Sequence, residues 1–124
     1  MNALSASRRP DGIEDAGFSI ERRDEGGTIR LILHGELDLG GEGALRDELL
    51  QAERSSAELV VVLDQLDYLD SAGIGQLVES AHRARRAGRR FSVTPGAGNV
   101  RRVLWISGVL NELCVGDPTG PSPA

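Results

Sequence analysis

The chain has 124 residues, of which 40% are hydrophobic and 27% charged, and its formal net charge is −5. This length suits one domain with a hydrophobic core and is too short for two domains of ordinary size. The acidic balance argues against a general affinity for nucleic acid or anionic membranes, so a charged partner is expected to be basic. The single cysteine, Cys114, cannot form an internal disulfide, which favours a reducing, cytoplasmic location.

The apolar stretches are too short to predict a membrane span. The longest strongly apolar run is Leu59–Leu63, whereas a transmembrane helix needs roughly 18 or more apolar residues. The first residues also lack the apolar segment of a secretory signal. We therefore predict a loose N-terminal tail at 1–15, one domain at 16–116, and a disordered tail rich in proline and glycine at 117–124.

The first half of the domain predicts a β-hairpin, a helix and a buried strand. Two short strands, 17–23 and 28–34, flank the turn Asp24-Glu25-Gly26-Gly27. A helix follows, with Glu53 off its apolar face. Leu59–Leu63 shows no polar alternation, which predicts a central strand covered on both faces. The apolar face of the helix is formed by Ala44, Leu45, Leu49 and Ala52.

The second half continues the alternation of helices and strands. Helical spacing of apolar residues predicts a helix over 71–87 that stops at Gly88, then a strand over 91–94. A third helix ends at Gly108, and Leu110–Val115 is predicted as a last short strand. The order β-β-α-β-α-β-α-β indicates an α/β domain with a mostly parallel, mixed sheet packed by helices.

The most informative motif is Asp70-Ser71-Ala72-Gly73, at the junction between the buried strand and the second helix. Functional sites of such sheets gather where strand carboxyl ends meet helix N-termini. The N–H groups of a helix N-terminus lack partners within the helix and tolerate a phosphate group. Ser71 is therefore a candidate switch residue.

A purely structural role for this motif is an N-cap, because Asp and Ser are preferred at that position. Gly73 and Gly75 do not fit that role alone, since each glycine in a helix costs up to about 1 kcal/mol relative to alanine. Glycines allow another backbone or a phosphate to approach closely. The start of this helix, with Ala72 between the serine and the glycines, therefore suits a docking surface.

The motif does not predict a catalytic or nucleotide-binding serine. No Gly-x-Ser-x-Gly elbow is present, and His82 lies too far along the helix of Ser71 to act as its base. A phosphate-binding loop needs a lysine, and all 14 basic residues are arginines. The turn Gly96-Ala97-Gly98-Asn99 before the third helix is only a weak anion-binding signal. We expect no enzymatic activity, no metal and no cofactor.

The chain resembles the anti-sigma factor antagonists, which are built from a STAS domain. The likeness covers about Gly17 to Val115. It is carried in order by Gly35-Glu36-Leu37-Asp38, Asp70-Ser71-Ala72-Gly73-Ile74-Gly75, and Val100-Arg101-Arg102-Val103-Leu104 leading to Ser107-Gly108.

This resemblance implies a partner switch. Ser71 corresponds to the phosphorylated serine, and the unphosphorylated protein would bind an anti-sigma factor of serine kinase-type ATPase fold and free a sigma factor. The same partner would phosphorylate Ser71 with ATP, and a serine phosphatase would reverse the modification. The protein would be a monomer when free. The predicted partner-binding residues are Asp38, Leu39, Asp70, Ala72, Gly73, Gly75 and Gln76.

Two further interpretations remain open at this point. The domain could instead be a small-ligand or nucleotide-binding STAS sensor module that uses the turn at 96–99 and the loop of Asp38. Trp105, which falls off the apolar face of the third helix, either belongs to a second contact surface beside Arg101 and Arg102 or packs under the tail or the last strand.

Overall fold

The computed structural model describes residues 17–38 and 40–113. The tails predicted at 1–15 and 117–124 lie outside the described residues. No helix among the described residues is long and apolar enough to span a membrane. The strands are β1 (Phe18–Glu25), β2 (Thr28–Leu37), β3 (Glu58–Leu69) and β4 (Arg90–Thr94), and the helices are α1 (Glu42–Ser55), α2 (Ser71–Ala87), α3 (Asn99–Ile106) and α4 (Leu110–Leu113).

The four strands form one mixed sheet in the order β1-β2-β3-β4. β1 and β2 are antiparallel, whereas β3 runs parallel to both of its neighbours. The predicted hairpin is confirmed, and its turn uses Gly26 and Gly27 at φ 52° and 93°, which glycine adopts without strain. The predicted α/β class and the internal position of β3 are likewise confirmed.

The helices pack on one face of the sheet. Strand register aligns Leu31, Val61 and Val93 in one row, and all three belong to the hydrophobic core to which the four helices contribute. The next row, Arg30–Val60–Ser92, points to the opposite face, and Val60 is outside that core. The predicted burial of β3 on both faces is confirmed at Val60 and Val61, which are 7% and 0% exposed, although the described helices cover only the face of Val61.

β3 is longer than predicted because it contains irregularities. Its pairing with β2 shifts register between Ile32 and His34 and again between Gly35 and Glu36. Each shift leaves an extra residue in β3, so the buried positions become Leu63, Leu66 and Leu69. This spacing of three is not the alternation typical of a strand. The predicted strand therefore stopped six residues early, at Leu63, whereas β3 continues to Leu69.

The predicted last strand, Leu110–Val115, is wrong over its described part. Leu110–Leu113 forms the short helix α4, in which the N–H of Leu113 donates to the carbonyl of Val109 at 3.0 Å. Leu110 and Leu113 are both buried, and a spacing of three places both on one side of a helical turn. Cys114 and Val115 lie outside the described residues.

A buried polar cluster connects α1 to α2. Glu53, expected off the apolar face of its helix, is 7% exposed, and Ser80 is fully buried. The Ser80 hydroxyl donates to Glu53 Oε2 at 2.6 Å, and Arg83 donates from Nε and Nη2 at 2.8 and 2.9 Å. Burial alone raises the pKa of Glu53, but the hydrogen bonds from Arg83 and Ser80, together with the positive charges of Arg83 and Arg89, bring this pKa below its ordinary value.

Replacing Arg83 by Ala should lower the free energy of unfolding by about 1–3 kcal/mol, because the buried carboxylate loses its charged donor. Urea unfolding at neutral pH, followed by circular dichroism, measures the change. Arg86→Ala is the matched control, since Arg86 is exposed on the same helix, and it should change stability by at most about 0.5 kcal/mol. Equal effects of the two substitutions would show that the cluster does not stabilise the helix pair.

The same carboxylate should make stability depend on pH. Because the pKa of Glu53 is lower in the folded protein than in the unfolded chain, its contribution is present above the ordinary value of 4.5 and is lost as the pH falls below it. Between about pH 5 and about pH 3 the parent protein should therefore lose more stability than Glu53→Gln, which has no carboxylate to protonate. Parallel losses in the two proteins would contradict this assignment.

Candidate functional site

Ser71 lies where the carboxyl ends of β2 and β3 meet the N-terminus of α2. The last paired residues of these strands are Leu37 and Leu69. The N–H of Asp70 donates to the carbonyl of Leu37 at 3.3 Å, which fixes the start of α2 against the end of β2. The structure thus brings the Ser71 and Asp38 segments to the same edge of the sheet, which we call the Ser71 edge.

Asp70 caps α2, and Ser71 does not. The backbone of Asp70 is extended, and its Oδ1 accepts a hydrogen bond from the N–H of Gly73 at 3.0 Å. The carbonyl of Asp70 accepts from the N–H of Ile74, also at 3.0 Å. Ser71 is exposed, and within the described part of the chain its hydroxyl makes no hydrogen bond. The capping role is therefore filled without this hydroxyl, which faces solvent and is accessible to a modifying enzyme.

The Asp38 segment is a turn that leads into α1. Oδ1 of Asp38 accepts from the N–H of Gly40 at 3.2 Å, and its carbonyl accepts from the N–H of Gly41 at 2.9 Å. α1 begins without a side-chain cap. A Cβ at Gly41 would lie 2.7 Å from Phe18 Cδ2, so the glycine allows the turn to pack against β1. This close contact with Phe18 explains why glycine occupies the N-cap position of α1, where a residue with a capping hydroxyl would otherwise be preferred.

The predicted partner-binding residues differ in accessibility. Asp38 and Gly75 are exposed, Asp70, Ala72 and Gln76 are half-buried, and Gly73 is buried. Leu39 lies outside the described residues.

The two glycines of α2 lie in opposite environments. A Cβ at Gly73 would lie 2.6 Å from Leu69 Cδ1 and 2.7 Å from Leu37 Cδ2, whereas one at Gly75 would meet no atom within 4 Å. Internal packing therefore accounts for Gly73. Gly75 leaves an open area on the exposed side of the helix, and its role in partner binding stays a prediction.

The extension of β3 contributes residues that sequence reasoning did not place in the site. Tyr68 is 45% exposed, and Asp64 and Asp67 are exposed as well. Bulges in a strand commonly direct side chains outward near functional sites. The recurrence of leucine at 63, 66 and 69 was the available signal for this irregularity. Asp67 joins Asp38 and Asp70 in giving the Ser71 edge an acidic character, whereas Asp64 accepts a hydrogen bond from the Thr94 hydroxyl at the end of β4.

The turn at 96–99 lies beyond β4, whereas the Asp38 turn follows β2. Gly96 has φ 73°, and a Cβ there would lie 3.0 Å from Cα of Asp64, so this turn packs against the extension of β3. α3 begins at Asn99 without a side-chain cap. These two turns are the segments of the ligand site that the sensor-module alternative requires. In the sheet, β3 lies between β2 and β4, the strands that lead into them. Among residues 17–38 and 40–113, no group of three or more potential ligands could hold a metal ion.

Fold and site together define a small two-layer α/β domain whose exposed serine lies at a strand–helix junction. A family model described as "Mlab, STAS domain" matches residues 20–114. The chain therefore belongs to the STAS domain family. A comparison with curated proteins gave no match.

Solved structures share this fold at low sequence identity. An anti-sigma factor antagonist from Mycobacterium paratuberculosis has a TM-score of 0.71 at 20% identity, over 82% of this chain and 86% of its own. Unphosphorylated SpoIIAA, an anti-sigma factor antagonist, has a TM-score of 0.63 at 22% identity, over 74% and 81%. The phosphorylated form of SpoIIAA, a Bacillus cell fate determinant, has a TM-score of 0.61 at 20% identity, over 79% and 88%.

The two glycines of α2 should respond in opposite directions to alanine. Gly73→Ala should destabilise the fold by about 1–2 kcal/mol, because the clash with two core leucines exceeds the gain in helix propensity. Gly75→Ala should stabilise it by up to about 1 kcal/mol, since the new methyl group enters open space. Thermal or urea unfolding of the two variants measures both values. A stabilised Gly73→Ala protein would show that the leucines are not packed tightly around this helix start.

Proposed function

We propose that the protein is an anti-sigma factor antagonist that is switched off by phosphorylation of Ser71. Unphosphorylated, it binds an anti-sigma factor of serine kinase-type ATPase fold and frees a sigma factor. The observation that carries this proposal is the exposed hydroxyl of Ser71 at the start of α2, which forms no hydrogen bond with the described residues and lies beside a cap supplied by Asp70. Structural likeness to anti-sigma factor antagonists, among them SpoIIAA in phosphorylated and unphosphorylated forms, supports it.

In the phosphorylation step the protein is the substrate. The Ser71 oxygen attacks the terminal phosphorus of ATP bound to the partner, so an O–P bond forms and the P–O bond to ADP breaks. The serine proton passes to a base of the partner or to solvent. A serine phosphatase hydrolyses the phosphoserine and restores the binding form. In this scheme the protein acts in the cytoplasm as a monomer when free, without a cofactor of its own.

The fold is expected to tolerate the phosphate. Ser71 is exposed, so the modification displaces no core residue. Among the described residues, the N–H groups of Ser71 and Ala72 have no hydrogen-bond partner, and a negative charge near a helix N-terminus is favoured by about 0.3–1 kcal/mol. That gain offsets part of the repulsion from neighbouring Asp70.

Partner binding is expected to be far more sensitive to the phosphate. The modification adds about −1.5 to −2 charges to an edge that already carries the carboxylates of Asp38, Asp67 and Asp70. If the partner covers Ser71, this charge loses its water without gaining a counter-charge, which costs several kcal/mol. A loss of about 2.7 kcal/mol already weakens binding a hundredfold. Phosphorylation should therefore control association and leave the fold intact.

The experiment mixes the purified protein with ATP, magnesium and candidate kinase-type anti-sigma factors from the same cell, then locates modified residues by mass spectrometry. The parent should acquire one phosphoryl group on Ser71 and leave the complex. Ser71→Ala should bind as the parent does and remain unmodified. Ser71→Asp should bind at least about tenfold more weakly, because it introduces a charge without changing the fold.

Ser55→Asp serves as the matched control, since Ser55 is an exposed serine at the far end of α1. It should leave binding within about twofold of the parent, because a distant surface charge is screened by salt. Phosphorylation at a residue other than Ser71 would overturn the proposed switch. Failure to bind any kinase-type anti-sigma factor would overturn the proposed partner class and direct attention to the sensor-module alternative.

A further inference from the structure

We propose that Arg102, Trp105 and Ile106, here called the α3 patch, form a second docking surface for a protein segment that combines acidic and apolar side chains. This surface goes beyond the proposed switch at Ser71, because it lies on a different helix and carries a positive charge, whereas the Ser71 edge is negative.

The apolar residues of the α3 patch are exposed without a packing reason. Trp105 is 54% and Ile106 is 68% exposed, whereas Val100 and Leu104 bury the inner side of the same helix. The helix is thus anchored on the core by other residues. Of the two interpretations of Trp105, packing under the tail lies outside the described residues, and α4, which replaces the described part of the predicted last strand, leaves Trp105 exposed. Adjacent exposed apolar side chains of this size are typical of interaction sites.

Helix geometry joins the three residues into one surface. Arg102 precedes Trp105 by three positions and Ile106 by four, so it lies one turn away from both on the same side of α3. Within the described part of the chain, Arg102 forms no ion pair. α3 ends at Ile106. Gly108 follows with φ 80°, its N–H donates to the Trp105 carbonyl at 3.0 Å, and the chain turns there into α4.

A cleft beside Trp105 can accept an apolar side chain. It has a volume of about 430 Å³ and lies between the turn before α3 and the start of α4. Gly98 and Leu110 line it together with Trp105 and Arg102. Tryptophan and arginine next to a pocket are the residue types that most often dominate the affinity of protein interfaces.

Charge complementarity selects the occupant. The protein carries a net charge of −5, and the Ser71 edge presents exposed Asp38 and Asp67. An acidic segment is repelled by that edge and attracted to Arg102, which steers it to the α3 patch. Its apolar side chains then cover Trp105 and Ile106. A second partner could thus bind while the Ser71 edge is occupied.

Because Trp105 is the only tryptophan, its fluorescence reports directly on this surface. Peptides that bind the full chain are selected from a random peptide library displayed on phage, and each synthetic peptide is titrated against the tryptophan emission. Selected peptides should be rich in Asp, Glu and large apolar residues, and should shift the emission to the blue. Arg102→Glu should weaken their binding at least about tenfold.

Arg86→Glu is the matched control, since it makes the same charge change at an exposed position near the end of α2 and should alter affinity by no more than about twofold. Ser71→Ala should bind these peptides like the parent, so the outcome is independent of the proposed switch. The proposal is overturned if no selected peptide shifts the tryptophan emission, if the peptides that shift it lack acidic residues, or if the two arginine variants lose affinity equally.

Discussion

The close packing of Gly73 against Leu37 and Leu69 positions the start of α2, and with it Asp70 and Ser71, at the Ser71 edge. A side chain at residue 73 would overlap both leucines, so the absence of one lets α2 begin directly against the ends of β2 and β3. The hydrogen bond from Asp70 to the carbonyl of Leu37 belongs to the same arrangement. Once α2 is held there, Asp70 is in place to cap it, and Ser71, one residue later, projects into solvent. The exposure of the serine is thus a consequence of packing beneath it.

Because of this arrangement, a phosphate on Ser71 would affect the binding of a partner and leave the contacts that hold α2 on the core unchanged. The contacts that hold α2 lie on its inner side, through Gly73, Leu77 and the cluster of Glu53, Ser80 and Arg83. A charge added on the outer side changes none of them. It changes the electrostatic potential of an edge that a partner must approach closely, where an unpaired charge is costly because water is excluded. A helix start that is held by core packing therefore suits a switch that acts through charge rather than through conformational change.

Local sequence patterns predicted most of the fold because most elements show either a regular spacing of apolar residues or a glycine that marks a turn or a helix end. The glycine pair at 26–27, the helical spacing from Ile74 to Ala84 and the αL glycine at 88 each have a local physical meaning. The extension of β3 was missed because its register shifts depend on pairing with β2, which no local pattern contains. Glu53 was expected off the apolar face of its helix for a similar reason: its side chain alone is polar, and only the packing of α1 on α2 brings it to Arg83. The junction at Ser71 was predictable, whereas the exposed Tyr68 beside it was not.

The two exposed surfaces differ in chemistry, but the helices that carry them are anchored on the same core, and this shared anchoring limits how binding at one surface can influence the other. The Ser71 edge is acidic, whereas the α3 patch pairs an arginine with two apolar residues. Both α2 and α3 are anchored on the same core cluster, through Leu77 and Leu104 among others. Coupling between binding sites requires an element with two arrangements whose balance both ligands shift. With both helices fixed on one packed core, partners at the two surfaces should bind with nearly additive free energies unless they touch each other. Phosphorylation of Ser71 would then release the partner at its own edge and leave an occupant of the α3 patch in place.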